Sequence, residues 1–143
     1  MDKISLALAK WYNTQNYMFP WRKNNSAYRI WISEIMLQQT QVSTATPYFK
    51  SWMKKFPSVY SVAESQIDDL LKVWEGLGYY QRAHNIFFTA QTVVNKYNGI
   101  FPKTYDELVQ LKGIGDYTAS AIMSIVYNKP YPSIDGNLKR VIA

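Results

Sequence analysis

The stretch from Trp31 to Val42 reads WISEIMLQQTQV, and its spacing sets the fold class. Tyr28, Trp31, Ile32, Ile35 and Met36 recur at i, i+3, i+4, i+7 and i+8, the stripe of a helix that buries one face. Ser26 is its candidate N-cap, and the spacing predicts a helix from about Ser26 to Gln39. Glu34 stands inside this apolar helix, one turn from Ile30 and flanked by Trp31 and Leu37. A carboxylate there is poorly solvated on at least one side. Burial disfavours its charged form and raises its pKa, which suits a general acid near neutral pH. Two amides, Gln38 and Gln39, follow where the helix should emerge toward a partner.

Outward from this helix the chain reads as all-α. Ile4, Leu8, Trp11 and Tyr12 mark a first amphipathic helix. Another runs from about Val42 to Met53 and stops before Phe56-Pro57. Ser65 is read as the cap of a short helix ending at Trp74. From Tyr79 to Tyr97 a stripe of Ala83, Ile86, Phe87, Ala90, Val93, Val94 and Tyr97 is closed by Asn98-Gly99, as a C-cap glycine would close it. Thr104 caps Tyr105 to Gln110. Beyond Gly113–Gly115, Ala119, Ile122, Met123 and Val126 mark one more helix, broken by Pro130 and Pro132. Short Gly/Pro loops between such helices favour an orthogonal bundle over a coiled coil.

The 143 residues make one domain or slightly more, and 48% hydrophobic content is ample for a packed core. The net charge of +6 favours a polyanionic partner such as nucleic acid. With no cysteine, disulfides and cysteine-ligated zinc or iron–sulfur sites are excluded. Residues 1 to 10 lack the long apolar run of a signal peptide, and nothing reaches the ~20 apolar residues of a membrane span. A soluble, intracellular protein is expected. His84, alone of its type and off its helix stripe, reads as a surface residue, and Lys54-Lys55 as solvated charge.

Four further blocks stand beside the opening stretch: Phe19-Pro20-Trp21-Arg22, Gly76-Leu77-Gly78-Tyr79-Tyr80, Leu111-Lys112-Gly113-Ile114-Gly115 with Tyr117, and Ile134-Asp135-Gly136-Asn137 with Lys139-Arg140. In the third, glycines between two helices let the backbone turn tightly and approach a phosphate, and amides of the following helix N-terminus can bind the anion. Taken alone, this block could equally be an ordinary αα-hairpin with a glycine C-cap. Asp135, just ahead of a helix, could serve only as its cap.

In their order and spacing the five blocks resemble the adenine DNA glycosylases of the MutY family, within the helix-hairpin-helix (endonuclease III) superfamily, across essentially the whole chain. The resemblance implies an all-α helix-hairpin-helix DNA glycosylase fold with a six-helix barrel core, truncated at the C-terminus. Residues 1–19 would pack on a cluster-bearing segment beyond this chain, residues 20–130 would form the core with the hairpin at about 104–127, and residues 131–143 would begin the return segment carrying Asp135. The family's [4Fe-4S] motif and oxidised-guanine recognition domain lie beyond the last residue, so the chain reads as an N-terminal fragment or a severely reduced form. No cofactor is expected in it, except a monovalent cation at the hairpin that the resemblance implies.

The resemblance also implies a chemistry: base excision repair on double-stranded DNA with adenine opposite 8-oxoguanine or guanine, by a monomer in the cytoplasm or nucleoid. Glu34 would protonate the departing adenine, and Asp135 would face the oxocarbenium-like sugar, one acid and one carboxylate as in glycoside hydrolysis. Bifunctional glycosylase/lyases of the superfamily carry a lysine nucleophile where this chain has Tyr117. Tyr117 therefore argues for a monofunctional enzyme and supports the sugar or Asp135, unless it is a core aromatic. Base flipping leaves a gap in the stack. Gln39, and secondarily Gln38, suits the wedge, and Tyr79 suits intercalation from a loop freed by Gly76 and Gly78, unless its aromatics pack inward. Gly113 and Gly115 would hold phosphate. Trp21, Arg22 and Leu37 would line the base pocket, with a Pro-Trp turn packed on the core as the alternative for the first two. Asn137 and Arg140 would organise Asp135 or touch phosphate. Two other readings stay open: an endonuclease III-like glycosylase/lyase for damaged pyrimidines, and a non-catalytic helix-hairpin-helix DNA-binding fragment.

Overall fold

The computed structural model describes residues 26–131 and, ahead of them, residues 3, 4 and 7. The expected segments 1–19 and 131–143 therefore lie almost wholly outside the described residues. Among these, every element is helical, as the sequence predicts: α1 (Ala27–Leu37), α2 (Val42–Lys55), α3 (Val59–Ala63), α4 (Ile67–Trp74), α5 (Gln81–Tyr97), α6 (Tyr105–Val109) and α7 (Asp116–Ile125).

Local chemistry accounts for several boundaries. The Ser26 side chain accepts from the Arg29 amide and starts α1, and Thr104 accepts from the Glu107 amide to start α6. At the end of α5, Asn98 and Gly99 both adopt left-handed backbone, with φ of 54° and 79°. The expected ends shift by a residue or two, as at Lys55 and Gln81, and one cap and one element differ outright. Ser65 does not cap α4. Gln66 occupies the N-cap without a side-chain bond, and the Ser65 hydroxyl donates back to the Ser61 carbonyl. That carbonyl belongs to α3, a helix the sequence pattern did not suggest. At five residues α3 is too short to show periodicity, and a reciprocal Ser58–Ser61 capping box starts it.

The helices pack α1 on α2 and α7, α2 on α4, α5 on α3 and α4, and α6 on α7. A cluster of large aromatics fills the space between them. Trp31, Trp52, Trp74, Phe49 and Phe56 are all fully buried. Trp52 sits 4.9 Å from Phe56 and meets Trp74 edge-on at 5.8 Å. Its indole Nε1 donates to the Tyr28 hydroxyl at 2.9 Å, and that hydroxyl donates to the Phe56 carbonyl at 2.6 Å. The Trp52 N–H and the Tyr28 hydroxyl thus both have partners inside the apolar core. Burial pushes the Tyr28 phenol far above its ordinary pKa, against the lowering effect of the Trp52 bond. Residues from α1, α2 and α4 are thus tied into one block that includes the helix carrying Glu34.

A candidate nucleic-acid interface around the end of α1

Glu34 is 9% exposed and lies in the second half of α1, among residues from Ile30 to Met36 that are all buried. The carboxyl group sits where the stripe predicts it, inside the protein wall and one turn before the helix ends. Leu37 is half-buried and closes the helix, while Gln38 and Gln39 are exposed beyond it. Gln38 is the C-cap. Gln39 takes a left-handed backbone with φ of 58°, which a side chain with a Cβ adopts at a cost of roughly 1–3 kcal/mol.

The last carbonyls of any helix lack intrahelical partners. Here a residue that sequence reasoning did not single out takes them. Arg82, in the first turn of α5, reaches back with Nη1 to the carbonyls of Ile35 (2.8 Å), Met36 (3.3 Å) and Gln38 (2.6 Å). Its other terminal nitrogen, Nη2, donates to the Gly78 carbonyl at 3.3 Å. The guanidinium lies 5.2 Å over the Trp74 ring and 5.5 Å from the Tyr79 ring. Burial lowers its pKa, with the Tyr79 phenol acting in the opposite direction. A cation at a helix C-terminus is also favoured by the helix dipole. The only hint in the sequence was an arginine three residues after Tyr79, which a solvated charge explains equally well.

The Gly76–Tyr80 loop lies on the other side of Arg82. Gly76, Gly78 and Tyr79 have φ of 91°, 81° and 50°. At Gly76 a Cβ would collide with the Tyr48 hydroxyl, which itself donates to the Glu75 carbonyl at 2.8 Å. Leu77 is buried and anchors the loop, whereas Tyr79 is 66% and Tyr80 44% exposed. The alternative of inward-packed aromatics therefore does not hold. Trp74 Nε1 donates to the Gly78 carbonyl at 2.9 Å, so the loop rests on the aromatic core.

The hairpin between α6 and α7 completes the surface. Leu111 and Ile114 are buried, and Lys112, Gly113 and Gly115 are exposed. Thr89 of α5 donates to the Lys112 carbonyl at 2.5 Å, and Lys112 Nζ lies 5.1 Å from the exposed Phe88 ring. Gly115 is the N-cap of α7 and has no side-chain cap. Tyr117, in the first turn of α7, is 40% exposed, which sets aside its reading as a core aromatic. Tyr105 donates to the Asp116 carboxylate. A cleft runs between α1, α5 and the hairpin, lined by Ile35, Gln38, Arg82, Asn85, Lys112 and Gly113.

Gly113 has φ of 83°, and a Cβ there would sit 3.0 Å from Asn85 Cβ. Gly113→Ala should therefore both strain the turn and push the hairpin off α5. We expect a stability loss of about 1–3 kcal/mol and weaker duplex binding, read by denaturant titration and fluorescence anisotropy. A variant with wild-type stability would show that the hairpin can shift away without cost.

The structure thus brings Gln38, Gln39, Tyr79 and Gly113 to one surface. Glu34 stands behind it in α1, and Tyr117 lies on α7, the helix packed against α1. Trp21, Arg22, Asp135, Asn137 and Arg140 lie outside the described residues. Among the described residues, no helix is long and apolar enough to cross a membrane. The resembled family's iron–sulfur group finds no fit in this chain, which has no cysteine to ligate it.

Comparison with known proteins gives this surface its context. Residues 32–143 match the family model described as HhH-GPD superfamily base excision DNA repair protein. The adenine DNA glycosylase of Buchnera aphidicola subsp. Acyrthosiphon pisum (strain APS) is 48% identical over 140 residues, covering 97% of this chain and 40% of that protein. Among solved structures, a thermostable thymine-DNA glycosylase superposes with a TM-score of 0.86 at 28% identity, covering 93% of this chain and 62% of that one. An endonuclease III in a non-covalent DNA complex gives 0.82 at 21% identity, covering 99% and 66%, and shares the fold. The chain spans about two fifths or less of the length of the first curated relatives it matches. With its hairpin, the helical architecture of its described residues and this match over most of its length, the chain belongs to the HhH-GPD superfamily of base excision DNA repair proteins.

Proposed function

We propose that this chain is the catalytic part of a monofunctional DNA N-glycosylase that releases adenine mispaired with 8-oxoguanine or guanine. The observation that carries this reading is the 48% identity to an adenine DNA glycosylase across 97% of the chain. The placement of Glu34 supports it: a buried carboxyl on α1, one turn behind an exposed surface. N-glycosidic cleavage needs a proton on the leaving base and a counter-charge for the cationic sugar. In the proposed reaction the Glu34 carboxyl gives its proton to a ring nitrogen of adenine, and the C1′–N bond breaks with its electron pair going to the base. Asp135 then stabilises the oxocarbenium-like sugar until water adds to C1′ and loses a proton.

Double-stranded DNA is the partner in this reading. The exposed amides at the α7 N-terminus, opened by Gly113 and Gly115, hold a phosphate without sequence preference. Gln39, with Gln38 beside it, fills the space left by the flipped adenine, and Tyr79 stacks next to the opposite base. Leu37, Trp21 and Arg22 border the base pocket, and Asn137 and Arg140 orient Asp135. Tyr117 supplies no amine for a Schiff base, so the product is an intact strand with an abasic site.

The test is single-turnover release of adenine from a duplex with one A opposite 8-oxoguanine, with and without alkali. The expected result is release with strand breaks only after alkali, and no covalent adduct on borohydride treatment. A borohydride-trapped adduct, or release of a damaged pyrimidine in preference to adenine, would overturn the reading in favour of a glycosylase/lyase. Tight duplex binding without release would leave a DNA-binding module.

A further inference from the structure

The two elements proposed to enter the duplex share a feature that no single-element reading explains. Gln39 and Tyr79 lie far apart in sequence, yet each is an exposed, non-glycine residue with left-handed backbone, at φ of 58° and 50°. The carbonyl just before each, that of Gln38 and that of Gly78, accepts from the same guanidinium, that of Arg82. The left-handed residue in each case follows the peptide that the arginine holds. A guanidinium presents several N–H donors in one rigid plane. It therefore sets the relative orientation of the two peptides as well as their proximity.

We infer that Arg82 is the positioning residue that couples the Gln38–Gln39 turn to the Gly78–Tyr79 loop, so that wedge and intercalating side chain enter the duplex as one rigid unit. Arg82 touches neither base nor reacting atom in this scheme. It acts through the two peptides. Three observations support the assignment. The guanidinium is walled in by Trp74 on one face, 5.2 Å away. Its Nε is buried without a hydrogen-bond partner among the described residues, so the side chain's bonds to them all run through its two terminal nitrogens. Among the described residues it bonds to backbone carbonyls alone, which fits a role in holding main chain rather than pairing a charge. A lysine here would keep the charge but could not hold both carbonyls in one plane.

The inference rests on the insertion roles proposed above for Gln39 and Tyr79, and the test separates the two. Arg82→Lys and Arg82→Gln are compared with wild type in two measurements. The first is amide hydrogen exchange of the free chain over residues 37–40 and 76–80. The second is 2-aminopurine fluorescence in a duplex carrying the analogue at the flipped position, beside anisotropy on the same duplex. In the free chain, exchange should rise in both segments together in both variants, while α3 and the middle of α5 keep wild-type protection. On DNA, base extrusion should fall roughly tenfold or more, and duplex affinity should change by less than about threefold, because the phosphate-binding hairpin is untouched. Unchanged exchange in both segments, or a rise in only one, overturns the coupling. A uniform rise across the chain shows a merely structural role and overturns it too. A wild-type chain that binds the duplex and leaves the analogue dark overturns the base-extrusion reading itself, whatever the exchange pattern.

Discussion

Replacing Glu34 with Gln should abolish adenine release while leaving duplex affinity within about twofold of wild type. The substitution keeps the volume and shape of a side chain that is 9% exposed, so packing of α1 against α7 and α2 is preserved. It removes the transferable proton, replacing the carboxyl with an amide that cannot act as the acid. General acid catalysis by a positioned group contributes typically 10²–10⁴-fold, and the single-turnover rate should drop by about that factor or more. In the proposed reading, phosphate contacts from the hairpin supply most of the affinity and do not involve this carboxyl. The informative control is therefore anisotropy on the same duplex. A rate within fivefold of wild type would remove Glu34 from the chemistry. A parallel loss of rate and affinity would mean that Glu34 holds the fold or the interface rather than the leaving base.

The second large effect lies in the core. Trp52→Ala should destabilise the chain by about 3–5 kcal/mol, the range for emptying a buried aromatic site. Small domains have about 5–15 kcal/mol in total, so the variant should be marginal at 37 °C, with a large fall in the denaturant midpoint. Two losses combine here. The ring leaves a gap against Phe56 and Trp74, at 4.9 and 5.8 Å. The Tyr28 hydroxyl also loses the indole donor it accepts from at 2.9 Å. Trp52→Phe separates them, since it keeps most of the packing and removes the donor alone, for about 1–3 kcal/mol. If Trp52→Ala cost less than about 1 kcal/mol, α1, α2 and α4 would not share one core. The rigidity argued for the surface above them would then lack a foundation.

Both effects were partly visible before any coordinates. The burial of Glu34 follows from neighbours within one helical turn, and a 3.6-residue period reports such neighbours directly. The hairpin was legible for a similar reason, because Gly113 must adopt a left-handed backbone and says so by lacking a Cβ. The Tyr28–Trp52–Phe56 chain was not legible. Its partners are 24 and 28 residues apart, and nothing in the spacing of apolar residues states which hydroxyl meets which indole. The assignment of Ser65 as a cap failed because the helix starts one residue later, with Gln66 at the N-cap, while the Ser65 hydroxyl donates back to the Ser61 carbonyl.

By itself, then, the sequence determined what depends on short range: the helical character of the described residues, the faces of the long helices, the turns at Asn98-Gly99 and Gly113–Gly115, and the five blocks that mark its superfamily. Local propensity and periodicity are properties of adjacent residues, so they survive without the fold. Only the tertiary structure decided how the exposed ends are held. Arg82 bonds carbonyls 44 to 47 residues away, at the end of a helix whose last acceptors have no partner of their own. Any of several cations could have met that need by charge and length. Which one does, and which two loops it joins as a result, is fixed by the packing of α5 beside α1.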